Sequence, residues 1–172
     1  MNVIETRRLY LRRLEEGDAA RLLEIYQEPG LLDYFSVGPP ETIEDARAAI
    51  RRHMLRYEEW GFGLWATVLR ETNEIIGRCG LILQNMEWGQ EVEVAYIISR
   101  AQWGQGLASE AARAIRDYGF EHLKQERLVC LIHVDNERSR RVARAIGMSP
   151  ERKAKYFGQD VDVYAMSQPN AS

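Results

Sequence analysis

Trp103-Gly104-Gln105-Gly106-Leu107-Ala108-Ser109-Glu110-Ala111 is the stretch that decides the fold, because it follows the strand-like run Val92 to Ile98 at a short interval and opens directly into a helical pattern. Leu107, Ala111, Ile115 and Tyr118 recur at helical spacing with Arg113, Arg116 and Asp117 between them, which predicts an amphipathic helix from about Leu107 to Leu123. Gly104 and Gly106 let the backbone turn tightly and approach a ligand. The free N–H groups and positive dipole end of the helix from 107 onward suit an anion, and a pyrophosphate fits there. A glycine turn holding only water is the plain alternative. The dinucleotide pattern G-x-G-x-x-G would need glycine where Ser109 stands, and the loop comes late in the chain, after antiparallel elements. No G-x-x-x-x-G-K-[ST] run exists, so a P-loop is excluded.

Working outward, Leu9 and Leu11 alternate with Tyr10 and Arg12 as a strand, and Asp18 stands where an N-cap would precede Leu22, Leu23, Ile25 and Tyr26. Gly38-Pro39-Pro40 reads as a loop. Thr42 then caps a helix from Ile43 to about Trp60, with Ala46, Ala49, Ile50 and Met54 on its apolar face and Gly61 and Gly63 as its stop. Phe62 to Leu69 and Ile75 to Leu83 flank a turn at Asn73 and predict an antiparallel hairpin. Leu128 to Val134 is a continuous apolar strand, Val142, Ala145 and Ile146 mark a short helix ending at Gly147, and Val161 to Met166 closes with alternation. The element order is that of a mixed α/β (α+β) domain.

Composition agrees with one such domain. The chain has 172 residues, near the size of one unit of about 150. With 23 Lys+Arg against 26 Asp+Glu it carries a formal charge of −3, which argues against the basic stripe of a general nucleic-acid binder. Cys79 and Cys130 are the only cysteines and no Cys or His pair has zinc spacing, so neither a disulfide framework nor a structural metal is expected. The first eight residues contain no apolar leader core, and no run approaches the ~18 apolar residues of a membrane span. A cytoplasmic protein that uses no membrane is the resulting expectation.

A second polar constellation, Asp135-Asn136-Glu137-Arg138-Ser139, stands where the Leu128 to Val134 strand ends and the next helix begins. Asn136 can hydrogen-bond an amide-rich ligand, and the Ser139 hydroxyl can do the same or give up a proton. Asn136 as a helix N-cap is the competing role. Glu91 and Glu93 alternate with Val92 and Val94, placing both carboxylates on one strand face roughly 7 Å apart. Arg138, Arg140, Arg141 and Arg144 place four positive charges in seven residues, with Arg140 and Arg144 sharing a face. A solvated helix face explains such a run equally well. His53, His122 and His133 are scattered and receive no role. The aromatics Tyr34, Phe35, Trp60, Phe62 and Trp65 are chiefly core candidates.

Three of these stretches share a resemblance. Glu5-Thr6-Arg7-Arg8-Leu9-Tyr10-Leu11-Arg12 resembles the E-T-x-R-L-x-L-R opening of the RimJ/RimL-type branch of the GCN5-related N-acetyltransferases (GNAT). The W-G-x-G-x-A-x-E-A loop and the later N-x-x-S are similar to that branch's coenzyme A site, in register across almost the whole chain. The resemblance implies one GNAT domain over residues 1–172, with a central mixed, largely antiparallel twisted sheet, flanking helices and a splayed parallel pair formed by Val92 to Ile98 and Leu128 to Val134.

It implies acetyl-CoA as co-substrate, its pantetheine arm in the gap and its pyrophosphate on Trp103, Gly104, Gln105, Gly106, Leu107, Ala108 and Ser109. Backbone near Ile97 and Ile98 would polarise the thioester carbonyl, Asn136 and Ser139 would line the arm, and an arginine such as Arg140 would reach the 3′-phosphate. Glu93 is then the candidate base, acting through water, and Ser139 the candidate acid toward the thiolate. Cross-strand surface charge is the alternative for Glu93. The acceptor is an amine: the N-terminal α-amine of a protein such as a ribosomal protein, or a polyamine, amino acid or aminoglycoside. Glu87, Glu91 and Glu93 suggest an acidic acceptor groove. Dimers are common in the family, so a homodimer is a further implication. A coenzyme A-binding sensor without turnover and a nicotinamide enzyme are the readings from other classes.

Overall fold

The computed structural model describes residues 3–36 and 38–168; Met1 and Asn2, part of the N-terminal stretch read above, lie outside the described residues. In chain order the elements are β1 (Val3–Glu5), β2 (Leu9–Arg13), α1 (Ala19–Tyr26), α2 (Ile43–Trp60), β3 (Leu64–Leu69), β4 (Ile75–Met86), β5 (Gly89–Ile98), α3 (Leu107–Glu121), β6 (Arg127–His133), α4 (Glu137–Ala145), β7 (Ser149–Tyr156) and β8 (Gln159–Ser167). The strands form one eight-stranded sheet in the order β1-β2-β3-β4-β5-β6-β8-β7. Every neighbouring pair is antiparallel except β5 and β6. Mixed α/β architecture with a splayed parallel pair is therefore the fold.

Local sequence explains the helices that frame the sheet. The Thr42 hydroxyl accepts from the Asp45 N–H while the Asp45 carboxylate accepts from the Thr42 N–H, a reciprocal cap that starts α2 at Ile43. Gly61, at φ +77°, ends it in the left-handed conformation that glycine adopts without steric cost. Asp18 departs from the expected N-cap role. Its carboxylate is buried and faces Arg12, whose guanidinium donates to both oxygens at 2.8 Å, and the Glu15 N–H at 2.9 Å; a short 3₁₀ turn, Glu16–Asp18, precedes α1 instead. A bidentate arginine outcompetes a single backbone donor for a carboxylate.

The two faces of the sheet carry separate cores. Leu9, Leu11, Cys79, Leu81, Val94, Ile98 and Leu128 pack with Leu107, Ala111 and Ile115 of α3 and Val142 and Ala143 of α4. Leu64, Ala66, Val68 and Ile97 pack with Leu22 and Ile25 of α1 and Ala46 and Ile50 of α2. Each such fully buried aliphatic side chain contributes about 1.5–3 kcal/mol. Met54, read from its spacing as part of the apolar face of α2, is 40% exposed, whereas Ile50 and Tyr57 on the same helix are buried.

The seam between β5 and β6 positions the site. β4 and β5 stay in register from Met86↔Gly89 to Gly77↔Ile98, whereas β5 and β6 share only the rung Glu93↔Val129. Below that rung Arg127 ties the strands together, its guanidinium reaching Glu91 on β5 at 3.1 Å and Glu151 on β7 at 2.6 Å. Above it the strands part.

Candidate active site

Parting of the strands leaves backbone groups facing an open slot. The Ser99 N–H donates to Ile76 O on β4, so alternation along β5 turns the N–H groups of Ile97 and Ala95 toward β4 as well and directs those of Tyr96 and Ile98 at β6. The carbonyl of Val94 accepts from the Cys130 thiol across the slot and that of Ile98 from Trp103 Nε1 at 2.9 Å, consistent with that alternation. Of the two residues singled out for the thioester, Ile98 thus presents its amide to the slot. Ile97 contributes its side chain to the cavity wall, with its amide spent on the sheet.

At the upper end of the slot, Gly104 and Gly106 both lie in the left-handed region, at φ +77° and +75°. Among the described residues nothing accepts a hydrogen bond from the N–H groups of 104 to 109, and Leu107 begins α3 directly behind them. Six unpaired amides at a helix N-terminus form a nest for an anion of the size of a diphosphate. Trp103 fixes the nest to both lips of the slot: its indole N–H binds Ile98 O, and the Arg138 guanidinium of α4 stacks on its ring with 3.3 Å between Cζ and centroid.

The N-terminal motif supports the nest from behind, a role its residues did not disclose in sequence. Glu110 accepts from the Thr6 hydroxyl at 2.6 Å, the Arg8 N–H at 2.8 Å and Arg8 Nε at 2.7 Å, while Arg8 Nη1 donates to Gln105 O at 2.8 Å. Burial acts to raise the Glu110 pKa, but these hydrogen bonds and the Arg8 charge outweigh it and hold the carboxyl below its ordinary value.

A cavity of about 650 Å³ opens from the slot toward α1 and α2, and Glu93, Tyr96, Asn136 and Ser139 line it. Glu93 is half-buried on the α1/α2 face of β5; its carboxylate accepts from Gln84 Nε2 at 2.6 Å and, more weakly, from the Leu131 N–H at 3.4 Å. Burial dominates these donors and pushes its pKa from 4.5 to about 7. Glu91 has a different fate. It is buried against Arg127 and Trp88 Nε1, and Glu87 lies exposed in the turn after β4, so the acidic groove expected from Glu87, Glu91 and Glu93 is not assembled.

The Asn136 side-chain oxygen accepts from the Ser139 N–H at 3.1 Å and caps α4, and Asn136 also lines the cavity. The Tyr96 hydroxyl donates to Ser139 O at 2.9 Å; burial raises the Tyr96 pKa well above 10, which keeps that phenol a neutral donor. Ser139 is thereby held from both sides of its backbone where it lines the cavity. Arg140 is tied to Val134 O, Glu137 and Asp162, and Arg144 to Glu137 and Tyr164. Arg138, Arg141 and Arg144 are the exposed members of the run, and Arg140 is half-buried. His133 stacks with Tyr34 across the cavity mouth at 5.2 Å between ring centroids.

No helix among the described residues is long and apolar enough to cross a membrane, and none of their His, Cys, Asp and Glu side chains form a group of three able to hold a metal. Comparison with known proteins gives a consistent assignment. A family model described as "Acetyltransferase (GNAT) domain" matches residues 8–149. The chain is 31% identical over 173 residues to a protein of Bacillus licheniformis described as the uncharacterized N-acetyltransferase p20, covering 97% of this chain and 96% of that one. Among solved structures it is similar to ribosomal-protein-S5-alanine acetyltransferase from Vibrio fischeri, with TM-score 0.83 and 16% identity over 99% of this chain and 98% of that one. It is likewise similar to RimL, a ribosomal L7/L12 α-N-protein acetyltransferase in complex with coenzyme A, with TM-score 0.81 and 21% identity over 96% and 98% of the two chains. At such identities these structures share the fold.

Proposed function

The chain belongs to the GNAT acetyltransferase family and is an acetyl-CoA-dependent N-acetyltransferase; from that premise we propose that its acceptor is the N-terminal α-amine of a protein, with Glu93 as base and Ser139 as acid. The fold it shares with ribosomal-protein α-N-acetyltransferases carries this reading, and the buried Glu93 carboxyl, raised to about 7, supplies a base for it. An α-ammonium, at about 7.7–8.0, lies within roughly one unit of that carboxyl, whereas an alkylammonium near 10.4 lies more than three units above it. An α-ammonium therefore gives up its proton to this carboxylate more readily than an alkylammonium does.

In the reaction the acceptor ammonium yields a proton to Glu93, directly or through one water, and the freed lone pair attacks the thioester carbonyl carbon. The Ile98 N–H, aimed into the slot, stabilises the charge that develops on the carbonyl oxygen. The carbon–sulfur bond breaks; the Ser139 hydroxyl passes a proton to the departing thiolate and regains one, through water, from the attacking nitrogen, which loses its second proton as the amide forms. The amides of 104 to 109 hold the diphosphate and the open edge of β5 holds the pantetheine amides, with Asn136 lining the arm. Arg138, exposed beside Trp103, stands nearer the nest than the tethered Arg140 and is the better placed of the two to meet a 3′-phosphate.

A thiol-release assay with acetyl-CoA and peptides bearing free or pre-acetylated N-termini tests this. Release of coenzyme A with only the free peptides, and a 42 Da gain on the α-amine located by mass spectrometry, is the expected outcome. Turnover of spermidine at a higher kcat/KM than any peptide would overturn the acceptor assignment.

A further inference from the structure

One part of the cavity takes no part in the transfer just described: its wall where α2 packs over β4. Arg56 and Arg78 line that wall, both half-buried, with Arg52 at its edge. Arg78 Nε donates to Tyr26 Oη at 2.6 Å, and Arg56 Nη1 reaches His53 Nδ1 at 3.4 Å. Their guanidinium carbons lie over the Tyr26 and Trp60 rings at 5.6 and 5.3 Å from the centroids, so aromatic faces hold both groups in place. Among the described residues neither arginine has a carboxylate partner, whereas Arg8, Arg12, Arg21, Arg127 and Arg140 all do.

The acids nearby act on them only at a distance, Glu93 on Arg78 and Glu59 on Arg56, and form no ion pair with them among the described residues. Asp45 is committed to Thr42 at the start of α2, Glu41 is exposed at the mouth, and Glu93 is held by Gln84. His53 lies between the arginines and adds no charge: burial, together with Arg78, Arg56 and Arg52, lowers its pKa to about 3. A partly desolvated cation without a counter-ion is costly, and an arriving anion recovers that cost. Position adds the second argument. Arg78 opposes Ile97 and Glu93 opposes Ile82 on one face of the β4–β5 pair, about 13 Å apart at Cα, which two side chains reaching toward each other reduce to the length of a short peptide segment.

We propose that the acceptor carries a carboxylate on the same molecule as its reactive amine, and that Arg56 and Arg78 bind this carboxylate while the amine lies at Glu93. The inference rests on the α-amine reading and narrows it to protein N-termini with an acidic side chain in the first residues. A free acidic amino acid offers the same pairing of groups. The cationic wall repels polyamines for the same reason that it attracts carboxylates.

The test uses two isosteric pairs in the thiol-release assay: the peptides Ser-Glu-Ala-Ala and Ser-Gln-Ala-Ala, both C-terminally amidated, and glutamate against its diamide. The acidic member of a pair is expected to be favoured at least tenfold in kcat/KM, mostly through KM. In an Arg56→Gln/Arg78→Gln protein that ratio falls below threefold, and Arg78→Lys restores part of it. Preference within the peptide pair identifies a protein terminus as the source, and preference within the glutamate pair alone identifies a free amino acid. Equal turnover within both pairs overturns the inference while leaving the α-amine reading standing, as does a preference that survives the double substitution. Turnover of glutamate without turnover of either peptide overturns the protein-terminus reading while keeping the carboxylate subsite. Failure of all four acceptors with acetyl-CoA still bound overturns both.

Discussion

Replacing Glu93 by glutamine separates the cost of the buried carboxylate from its use. Burial raises its pKa from 4.5 to about 7, so the folded chain binds a proton more tightly than the unfolded chain across that interval. Stability therefore falls as pH rises from 4.5 to about 7: the penalty is absent below the unfolded value and complete above the folded one. At about 1.4 kcal/mol per unit the full penalty is about 3 kcal/mol, and the neutral amide of Glu93→Gln escapes it while still accepting from Gln84. For a chain of this size that corresponds to a melting temperature about 6–12 °C higher than the parent at pH 8.5, with the gap closing toward pH 4. Urea unfolding at pH 4, 6 and 8.5 without coenzyme measures the stability difference, and kcat/KM against pH measures the use: the acidic limb near 7 disappears in the variant and turnover drops at least a hundredfold. A stability difference that does not change with pH, or an acidic limb that persists in the glutamine protein, would refute the reasoning.

Three further perturbations probe the frame around that carboxylate. Gly106→Glu forces a side chain into the left-handed region and brings a negative charge into the amide nest, so calorimetry is expected to show acetyl-CoA affinity reduced at least a hundredfold with the far-ultraviolet circular dichroism retained. Glu110→Gln weakens the charge-assisted bonds from Thr6 and Arg8, which predicts about tenfold weaker coenzyme binding. It also removes the stability that the parent loses as pH falls below 4.5, because the Glu110 carboxyl is held below that value; equal acid sensitivity of the two proteins in a pH-dependent melting series would count against the support role. Gly77→Ala places a methyl 2.0 Å from Ile97 O, where no flexible side chain can give way, and is expected to cost about 3 kcal/mol or more by urea unfolding while displacing the lip of the slot at 97 and 98.

Much of this arrangement is legible before any coordinates exist. Helix α2 starts and stops where Thr42 and Gly61 predict, and the glycine loop feeds α3 at Leu107. What escapes the sequence has identifiable physical reasons. β7 escapes prediction because Pro150, Glu151, Arg152, Lys153 and Lys155 give no apolar alternation, yet charge is what an edge strand carries to avoid pairing with other chains. The support of the nest by Arg8 joins residues 102 positions apart through Glu110, a contact no local pattern encodes. Glu91 and Glu93 are equivalent by alternation, and only the placement of Arg127 beside the first and the open slot beside the second separates a structural ion pair from a candidate base. Arg56 and Arg78, on a helix and a strand that meet over the cavity, have nothing in their neighbourhoods of sequence to mark them.

The lone rung Glu93↔Val129 leaves a tear in the middle of an eight-stranded sheet. Sheets ordinarily guard their margins with lysines, prolines or bulges, but these two inner margins cannot be guarded that way without blocking the very passage they enclose. A nucleotide thioester seated in the slot as proposed would therefore do a second job, closing the tear to stray β-segments from other chains. Protein kept with acetyl-CoA is expected to scatter less light on prolonged incubation than protein stripped of it.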